Sequence, residues 1–308
     1  MIFKNIAVIV PRAMGVTLLC TAVLRQLKRL HTDAQILCIC KFPELLINFP
    51  FVDKVFCYDE PFLFEMAIKD KNVIDLNGTL EFQPNRREKR VHLIDLLCER
   101  AKIINDSEGP ECNLSEEELS EAIKIVNSVH RGKCNSIVAM TTRTTTPNKE
   151  WKLARWRELV YRTKEEIKWI HIGEYMLPFI PHVEYLTLTP RQSIAVLNYV
   201  DAVVCLDTFI LHAAATQRLH TGNVIVLLGS THPKCVSYES FINIYHEELD
   251  CQPCGRPYSQ FDLNFLPDGS VTHWENGKPK KWECKSVKCM DLISVDDVEQ
   301  ALMEKISR

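Results

Sequence analysis

Residues 202–215 read Ala202-Val-Val-Cys-Leu-Asp207-Thr208-Phe209-Ile-Leu-His212-Ala-Ala-Ala215. The first five residues form a continuous apolar run, which favours a strand that is buried on both faces. Asp207 and Thr208 then place polar side chains where the strand ends, and the residues after them favour a helix. A buried strand that leads through a polar turn into a helix is typical of an α/β protein with a parallel sheet.

The same alternation of apolar strands and helical patterns extends in both directions along the chain. Strands are predicted at 5–10, 35–40, 54–58, 72–76, 136–140, 168–172, 183–186, 202–206 and 223–228. Helices are predicted at 15–31, 43–48, from the basic run 86–90 to Ala101, and at 115–130, 149–164, 193–199, 208–217 and 294–306. An acidic segment at 105–121 separates the two series. The sequence therefore predicts two Rossmann-like domains, 1–131 and 132–308, that face a cleft.

Composition narrows the class of protein. The chain has 308 residues and a formal net charge of −3, which gives no electrostatic reason to expect a nucleic-acid binder. Its ten glycines never stand in G-x-G spacing, so neither the dinucleotide fingerprint nor the Walker phosphate loop is present. No run is long enough to span a membrane, and the N-terminus lacks a signal-peptide pattern. Most of the thirteen cysteines lie in apolar runs, so we expect reduced thiols and a cytoplasmic protein, and peripheral association with the inner membrane stays open.

Polar residues cluster where the predicted strands end, which is where open α/β sheets bind ligands. Candidates for ligand binding are Gly15, Thr142, Lys149, Glu174, Asp207, Thr208, His212, Gly229 and Thr231. Lys149 could supply charge for a diphosphate, and Glu174 could accept hydrogen bonds from a ribose. Ordinary alternatives stay open, since Asp207-Thr208 could be a helix cap, His212 a core or surface histidine, and Lys149 a solvated charge.

Four segments resemble glycosyltransferase family 9, the ADP-heptose:lipopolysaccharide heptosyltransferases. Residues 202–215 resemble its most specific motif, a strand followed by Asp-[Ser/Thr]-Gly-x-x-His-x-Ala. The run Val224-Ile-Val-Leu-Leu-Gly229-Ser-Thr231-His-Pro233 resembles its next strand and the Gly-x-Thr-x-Pro turn. Lys149-Glu-Trp151 resembles a Lys-x-Trp element, and Arg12-Ala-Met-Gly15-Val-Thr-Leu-Leu19-Cys-Thr21-Ala-Val-Leu24-Arg25 resembles the family's opening.

The resemblance implies a GT-B fold and inverting transfer of a sugar, heptose first, from a nucleoside-diphosphate donor to a hydroxyl of a glycan or protein acceptor. The donor would lie mainly on the C-terminal domain and the acceptor on the N-terminal domain, beside Arg12 and Asn77. By similarity, Lys149 and Thr208 would contact the diphosphate and Glu174 the ribose or base. Asp207 and His212 would contact the sugar or the phosphates.

Two positions depart from the family pattern. The family has its catalytic aspartate directly after the first glycine, whereas this chain has Val16, which cannot accept a proton. Asp75, at the end of the predicted strand 72–76, is our replacement candidate for the base, and capping of a turn is its alternative role. The other departure is Phe209, which replaces a glycine and could either block a close backbone–phosphate approach or stack on a base or sugar.

Four cysteines near the C-terminus have the spacing of a metal site. Cys251 and Cys254 precede a predicted β-hairpin with an Asn-Gly turn, and Cys284 and Cys289 follow it. This arrangement predicts a small four-cysteine finger over 251–290 that holds structural zinc or, second, iron. Autotransporter heptosyltransferases, which the chain resembles here, carry a comparable finger. Cysteines without metal, reduced or in disulfides, are the alternative, and the finger could also dock a partner or a second copy of the chain.

Three functions remain open at this stage. The first is an active transferase of a nucleotide sugar. The second is a non-catalytic homologue that lost the base at Val16 and serves as a nucleotide-binding or assembly partner. The third is a transferase with another sugar or with a nucleic-acid acceptor, although the charge of the chain makes nucleic acid unfavoured.

Overall fold

The structure is a computed structural model of the whole chain. It describes residues 5–69, 71–79, 90–129, 132–144, 147–173, 179–216, 222–250, 252–253, 264–265, 271–275, 278–281 and 287–306. Within these residues the architecture is two parallel α/β sheets, which confirms the predicted fold class.

The first sheet has four parallel strands in the order β3-β2-β1-β4. The strands are β1 (Asn5–Ile9), β2 (Gln35–Cys40), β3 (Lys54–Cys57) and β4 (Asn72–Asp75). The helices are α1 (Met14–Leu30), α2 (Pro61–Ile68) and α3 (Leu93–Arg100). Side chains of α1 and α3 cover one face of the sheet and those of α2 the other, which explains the nearly unbroken apolar runs of the central strands.

The second sheet has six parallel strands in the order β10-β9-β8-β5-β6-β7. The strands are β5 (Ser136–Met140), β6 (Ile167–Ile172), β7 (Val183–Leu186), β8 (Ala202–Leu206), β9 (Val224–Leu227) and β10 (Ile242–Ile244). The helices are α4 (Glu116–Ser128), α5 (Leu153–Thr163), α6 (Pro190–Leu197), α7 (Phe209–Ala215), α8 (Pro233–Val236), α9 (Lys288–Asp291) and α10 (Val295–Ile306). The polar turn at Asp207 thus follows β8, a central strand with a parallel neighbour on each side.

Three short antiparallel strands follow β10 and precede α9 along the chain. They are β11 (Asn264–Phe265), β12 (Val271–Glu275) and β13 (Lys278–Lys281). Thr272 pairs with Lys281 and Glu275 with Lys278, so the two strands of the predicted hairpin are paired.

The two halves of the molecule share a hydrophobic core. Leu18 of α1 and Leu45 of a 3₁₀ turn at Pro43–Leu46 pack with Ile194 of α6 and Leu211 of α7. The helix α4, which the sequence assigns to the first domain, contributes Ala122 to the same core. The halves are therefore joined by apolar packing as well as by the chain.

The acidic segment at 105–121 has a structural explanation. Asp106 and Glu111 accept hydrogen bonds from the buried guanidinium of Arg25 on α1, at 2.7 and 2.6 Å. Glu118, at the start of α4, accepts two more from Arg191 of α6, at 2.6 and 2.7 Å. The acidic side chains thus pair with buried arginines in both halves of the molecule.

Several predicted boundaries need correction. The helix predicted to begin at 86–90 begins at Leu93, because His92 caps it by accepting a hydrogen bond from the Ile94 N–H. Arg90 lies before this helix with a positive φ of 46°, and 86–89 lie outside the described residues. The sequence does not predict α2, α8, α9, β10 or β11, since their runs are short and lack clear periodicity.

Candidate functional site

The residues after β8 and β9 form a polar cluster at the carboxyl edge of the second sheet. The Lys149 ammonium lies 2.8 Å from an Asp207 carboxylate oxygen, and the Thr231 hydroxyl lies 3.1 Å from the same oxygen. Thr208 caps α7 by accepting a hydrogen bond from the Ile210 N–H. Three separate loops thus bring a cation, a carboxylate and a hydroxyl together, as the strand-end argument predicts.

A second layer of polar contacts supports this cluster. The Asn148 amide donates to the Ser230 hydroxyl at 3.1 Å, and this bond joins the loop that carries Lys149 to the loop that carries Thr231. The Thr142 hydroxyl lies 3.1 Å from Nε2 of His171. Burial lowers the pKa of His171 to about 4, so its ring is neutral near pH 7.

His212 lies where the two halves of the molecule meet. Its Nδ1 lies 3.1 Å from the Tyr238 hydroxyl, and burial lowers its pKa to about 4. A Cβ atom at Gly15, at the start of α1, would lie 2.8 Å from Cδ2 of the His212 ring and 3.5 Å from Cα of Phe209. Gly15, predicted as a ligand-binding residue, therefore has a packing role that any side chain would disturb.

We expect Gly15→Ala to destabilise the protein by about 1–3 kcal/mol, because the added methyl group overlaps a buried ring that Tyr238 holds in place. Urea unfolding of the variant measures this cost. The double variant Gly15→Ala/His212→Ala is the control, since removing the ring should relieve the overlap. Additive losses of stability in the double variant would contradict the proposed contact.

The first half has its own polar cluster at the carboxyl edge of its sheet. Asp75 ends β4 beside Ile9 of β1, and its Oδ1 accepts hydrogen bonds from the Asn77 backbone N–H and side-chain amide, both at 2.9 Å. The Asn77 amide also donates to the Tyr58 hydroxyl at 2.7 Å, and the Arg12 guanidinium lies 4.6 Å from the centre of the Tyr58 ring. The predicted base and the two predicted acceptor-side residues are thus neighbours, and Asp75 also caps the turn as its alternative role requires.

The side chain of Val16 is buried in the core of the first half together with Val8 and Val10. This position of the family pattern is therefore part of the packed interior. Phe209 is partly buried against the core between the two sheets.

Some predicted residues cannot be placed. Glu174 and three of the four cysteines, Cys251, Cys254 and Cys284, lie outside the described residues. Cys289 is buried in the core beneath the second sheet, where its Sγ would lie 3.0 Å from a Cβ atom at Gly229. The metal site therefore stays a prediction from the sequence.

Four residues near the clusters escaped the sequence analysis. Tyr58 directly follows β3 and His232 directly follows Thr231, so the strand-end rule could have found both. Tyr238 and Arg90 carry no such signal, because one follows an unpredicted helix and the other precedes a helix with a wrongly predicted start.

The sequence matches no protein-family profile, and no curated protein matches it. Among solved structures, the glycosyl transferase family 9 protein from Veillonella parvula is 16% identical and superimposes with a TM-score of 0.68 over 100% of this chain and 98% of its own. The chain has the fold of the family 9 glycosyltransferases.

Two further members of this fold are informative. The E. coli ADP-heptose lps heptosyltransferase II is 14% identical, with a TM-score of 0.63 and 98% of both chains covered. The iron-containing dodecameric glycosyltransferase TibC from enterotoxigenic E. coli H10407 is 14% identical, with a TM-score of 0.69 over 99% of this chain and 76% of its own. The expected resemblance in fold to family 9 is thus confirmed over the whole chain. Among the described residues, none of the helices is both long and apolar enough to cross a membrane.

Proposed function

We propose that this protein is an inverting glycosyltransferase that moves a sugar from a nucleoside diphosphate to a hydroxyl of a glycan or protein acceptor. The observation that carries the proposal is the Lys149–Asp207–Thr231 cluster, which lies at the carboxyl edge of the second sheet. The fold of the chain is shared by proteins whose names describe glycosyltransferases, among them a heptosyltransferase in complex with ADP-D-beta-D-heptose. Heptose is therefore the first sugar to test, and another sugar is the second choice.

The cluster suits a diphosphate leaving group. The Lys149 ammonium and the Thr231 hydroxyl can exchange Asp207 for a phosphate oxygen. The Thr208 hydroxyl can donate to such an oxygen while it still accepts from the Ile210 N–H. As the bond between the sugar and the diphosphate breaks, negative charge builds up on the leaving oxygen. Fixed donors that face this charge lower the barrier of the transfer.

The acceptor side requires a base. The acceptor oxygen forms the new bond at the anomeric carbon while its proton passes to a carboxylate. We assign this role to Asp75, whose exposed carboxylate lies on the same edge of the first sheet as Arg12 and Asn77. Arg12 and Asn77 would then orient the acceptor.

A binding protein without transferase activity is the second candidate function. The buried Val16 favours it, because the family's base position holds no proton acceptor here. In this case the nucleotide would still bind at Lys149, and turnover would be absent.

Other features of the proposal rest on the sequence or on the relatives. Structural zinc or iron at the four cysteines agrees with the iron-containing TibC, and self-assembly agrees with its dodecameric state. We also propose a cytoplasmic location, peripheral at the inner membrane, because most of the cysteines lie in apolar runs that are typical of reduced thiols. The domain boundary at residue 131 is part of the same proposal.

A thermal-shift panel of nucleoside diphosphates and their sugars tests the proposal. A cognate ligand at 100 times its dissociation constant stabilises the protein by about 2.7 kcal/mol, a shift of several degrees. We expect Lys149→Met to weaken this ligand about tenfold or more, since a charge-assisted bond to the phosphate is lost. Lys152→Met is the matched control. Lys152 lies three residues after Lys149, and its side chain forms an exposed ion pair with Asp291 at 2.7 Å.

The outcomes separate the candidates. A shift with turnover supports the transferase, and a shift without hydrolysis or transfer of ADP-heptose, UDP-sugars or GDP-sugars supports the binding protein. No shift with any of these ligands would contradict both. Equal losses in the Lys149 and Lys152 variants would remove Lys149 from the donor site.

A further inference from the structure

Arg90 of the first half contacts two residues of the second half. Its Nη2 lies 2.7 Å from Oε1 of Glu247, and its Nη1 lies 3.1 Å from Nε2 of His232. His232 directly follows Thr231, whose hydroxyl is bonded to Asp207. The contact therefore lies next to the polar cluster described above and spans the two halves.

The hydrogen bonds of His232 determine which of its ring nitrogens carries the proton. Its Nδ1 accepts a hydrogen bond from the Lys234 backbone N–H at 3.1 Å. In a neutral imidazole only one nitrogen can accept, so Nε2 must carry the proton. Burial, and then the nearby charge of Arg90, lower the pKa of His232, which agrees with a neutral ring.

With Nε2 of His232 protonated, the contact between His232 and Arg90 is not a hydrogen bond. The Nε2–H of His232 and the Nη1–H of Arg90 are both donors, so they cannot bond to each other although they lie 3.1 Å apart. The acceptor that faces both is Glu247, at 2.7 Å from Arg90 and 3.9 Å from His232. Two donors that converge on one carboxylate are an arrangement that suits an oxyanion.

We propose that Arg90 and His232 bind a phosphate oxygen of the donor's diphosphate, and that Glu247 is the internal anion that this phosphate displaces. The inference rests on the proposed function, and it adds a residue of the first half to the donor site. His232 is buried and therefore fixed in place, whereas Arg90 is 41% exposed and can follow the ligand. Because Arg90 precedes α3, diphosphate binding would also hold the two halves together.

The test is calorimetric titration of the full-length protein with inorganic pyrophosphate, which needs no knowledge of the nucleoside. We expect Arg90→Gln to weaken the binding of pyrophosphate about tenfold. We expect Glu247→Gln to strengthen this binding several-fold, because the competing carboxylate loses its charge. Arg162→Gln is the control, since Arg162 is 38% exposed and pairs with acidic residues of α5 and α10.

If Arg90 and Glu247 form only a structural ion pair, Arg90→Gln and Glu247→Gln should act alike, with the pyrophosphate affinity reduced or unchanged in both. This outcome would overturn the inference. Thermal melting of each variant checks that it is folded. If nucleoside diphosphates bind the wild type and neither variant changes pyrophosphate affinity, the inference fails and the proposed function stands. If pyrophosphate responds as expected and no nucleotide binds, Arg90 and His232 form an anion site but its assignment to a nucleotide-sugar donor fails together with the proposed function.

Discussion

Asp75→Asn is expected to slow sugar transfer by about 10²–10⁴-fold and to leave donor binding nearly unchanged, because an amide cannot take the acceptor's proton. The substitution preserves the shape of the side chain. Its amide oxygen can still accept the hydrogen bond that the Asn77 backbone N–H now donates to Asp75 Oδ1 at 2.9 Å, so the turn should stay intact. Initial rates of transfer, measured with saturating donor, provide the comparison.

Asp59→Asn is the matched control for this experiment. Asp59 follows Tyr58 at the end of β3, so it also lies near the carboxyl edge of the first sheet with an exposed carboxylate. We expect it to retain most of the wild-type rate. Wild-type turnover by the Asp75 variant would show that the base lies elsewhere, and an equal loss in both variants would indicate a general effect of charge at this edge.

Arg25→Met is expected to lower the free energy of unfolding by about 3–5 kcal/mol, because it removes the buried partner of a largely buried carboxylate and leaves it only the more exposed Arg29. The Arg25 side chain is fully buried, and that of Asp106 is only 9% exposed. Burial alone would raise the pKa of Asp106, but it is outweighed by the hydrogen bonds from Arg25 and the Glu108 backbone N–H together with the charges of Arg25 and Arg29, so the pKa is lowered. Methionine has a similar length and supplies none of these bonds.

Arg29→Met tests whether burial of the arginine is the reason for the loss of stability expected in Arg25→Met. Arg29 also binds Asp106 and Glu108, one helical turn further along α1, but its side chain is 43% exposed. Solvent-exposed ion pairs contribute about 0–1 kcal/mol, so this variant should lose little stability. Urea unfolding of the two variants gives the comparison, and equal losses would contradict the role assigned to the buried guanidinium.

The sequence predicts those features of the fold that depend on neighbouring residues. The cap at Ser115 is present with its reciprocal bonds to Glu118, and Ser294 accepts from the Asp297 N–H at the start of the last helix. Apolar runs such as 202–206 become central strands, since parallel strands are covered on both faces. In these cases the chemistry that fixes the element lies within about four residues.

Features that join distant parts of the chain could not be predicted in the same way. The pairing of Arg25 with Glu111 spans 86 residues, and α1 reads from its sequence as an ordinary amphipathic helix. The contact of Gly15 with His212 depends on how two helices of different halves approach each other. The strand-end rule brings Lys149, Asp207 and Thr231 to one edge, but their contact distances depend on loop conformations that no periodic pattern encodes.

The buried position of Val16 constrains how this protein can evolve. An aspartate introduced there would lie among the aliphatic side chains of the first core, where its neutral, protonated form is favoured and proton uptake is blocked. A Val16→Asp substitution would therefore add a neutral carboxyl group to the core and would not supply a proton acceptor. Position 16 can therefore vary only among apolar residues of similar volume, and any proton acceptor at this edge of the sheet has to lie outside the packed interior.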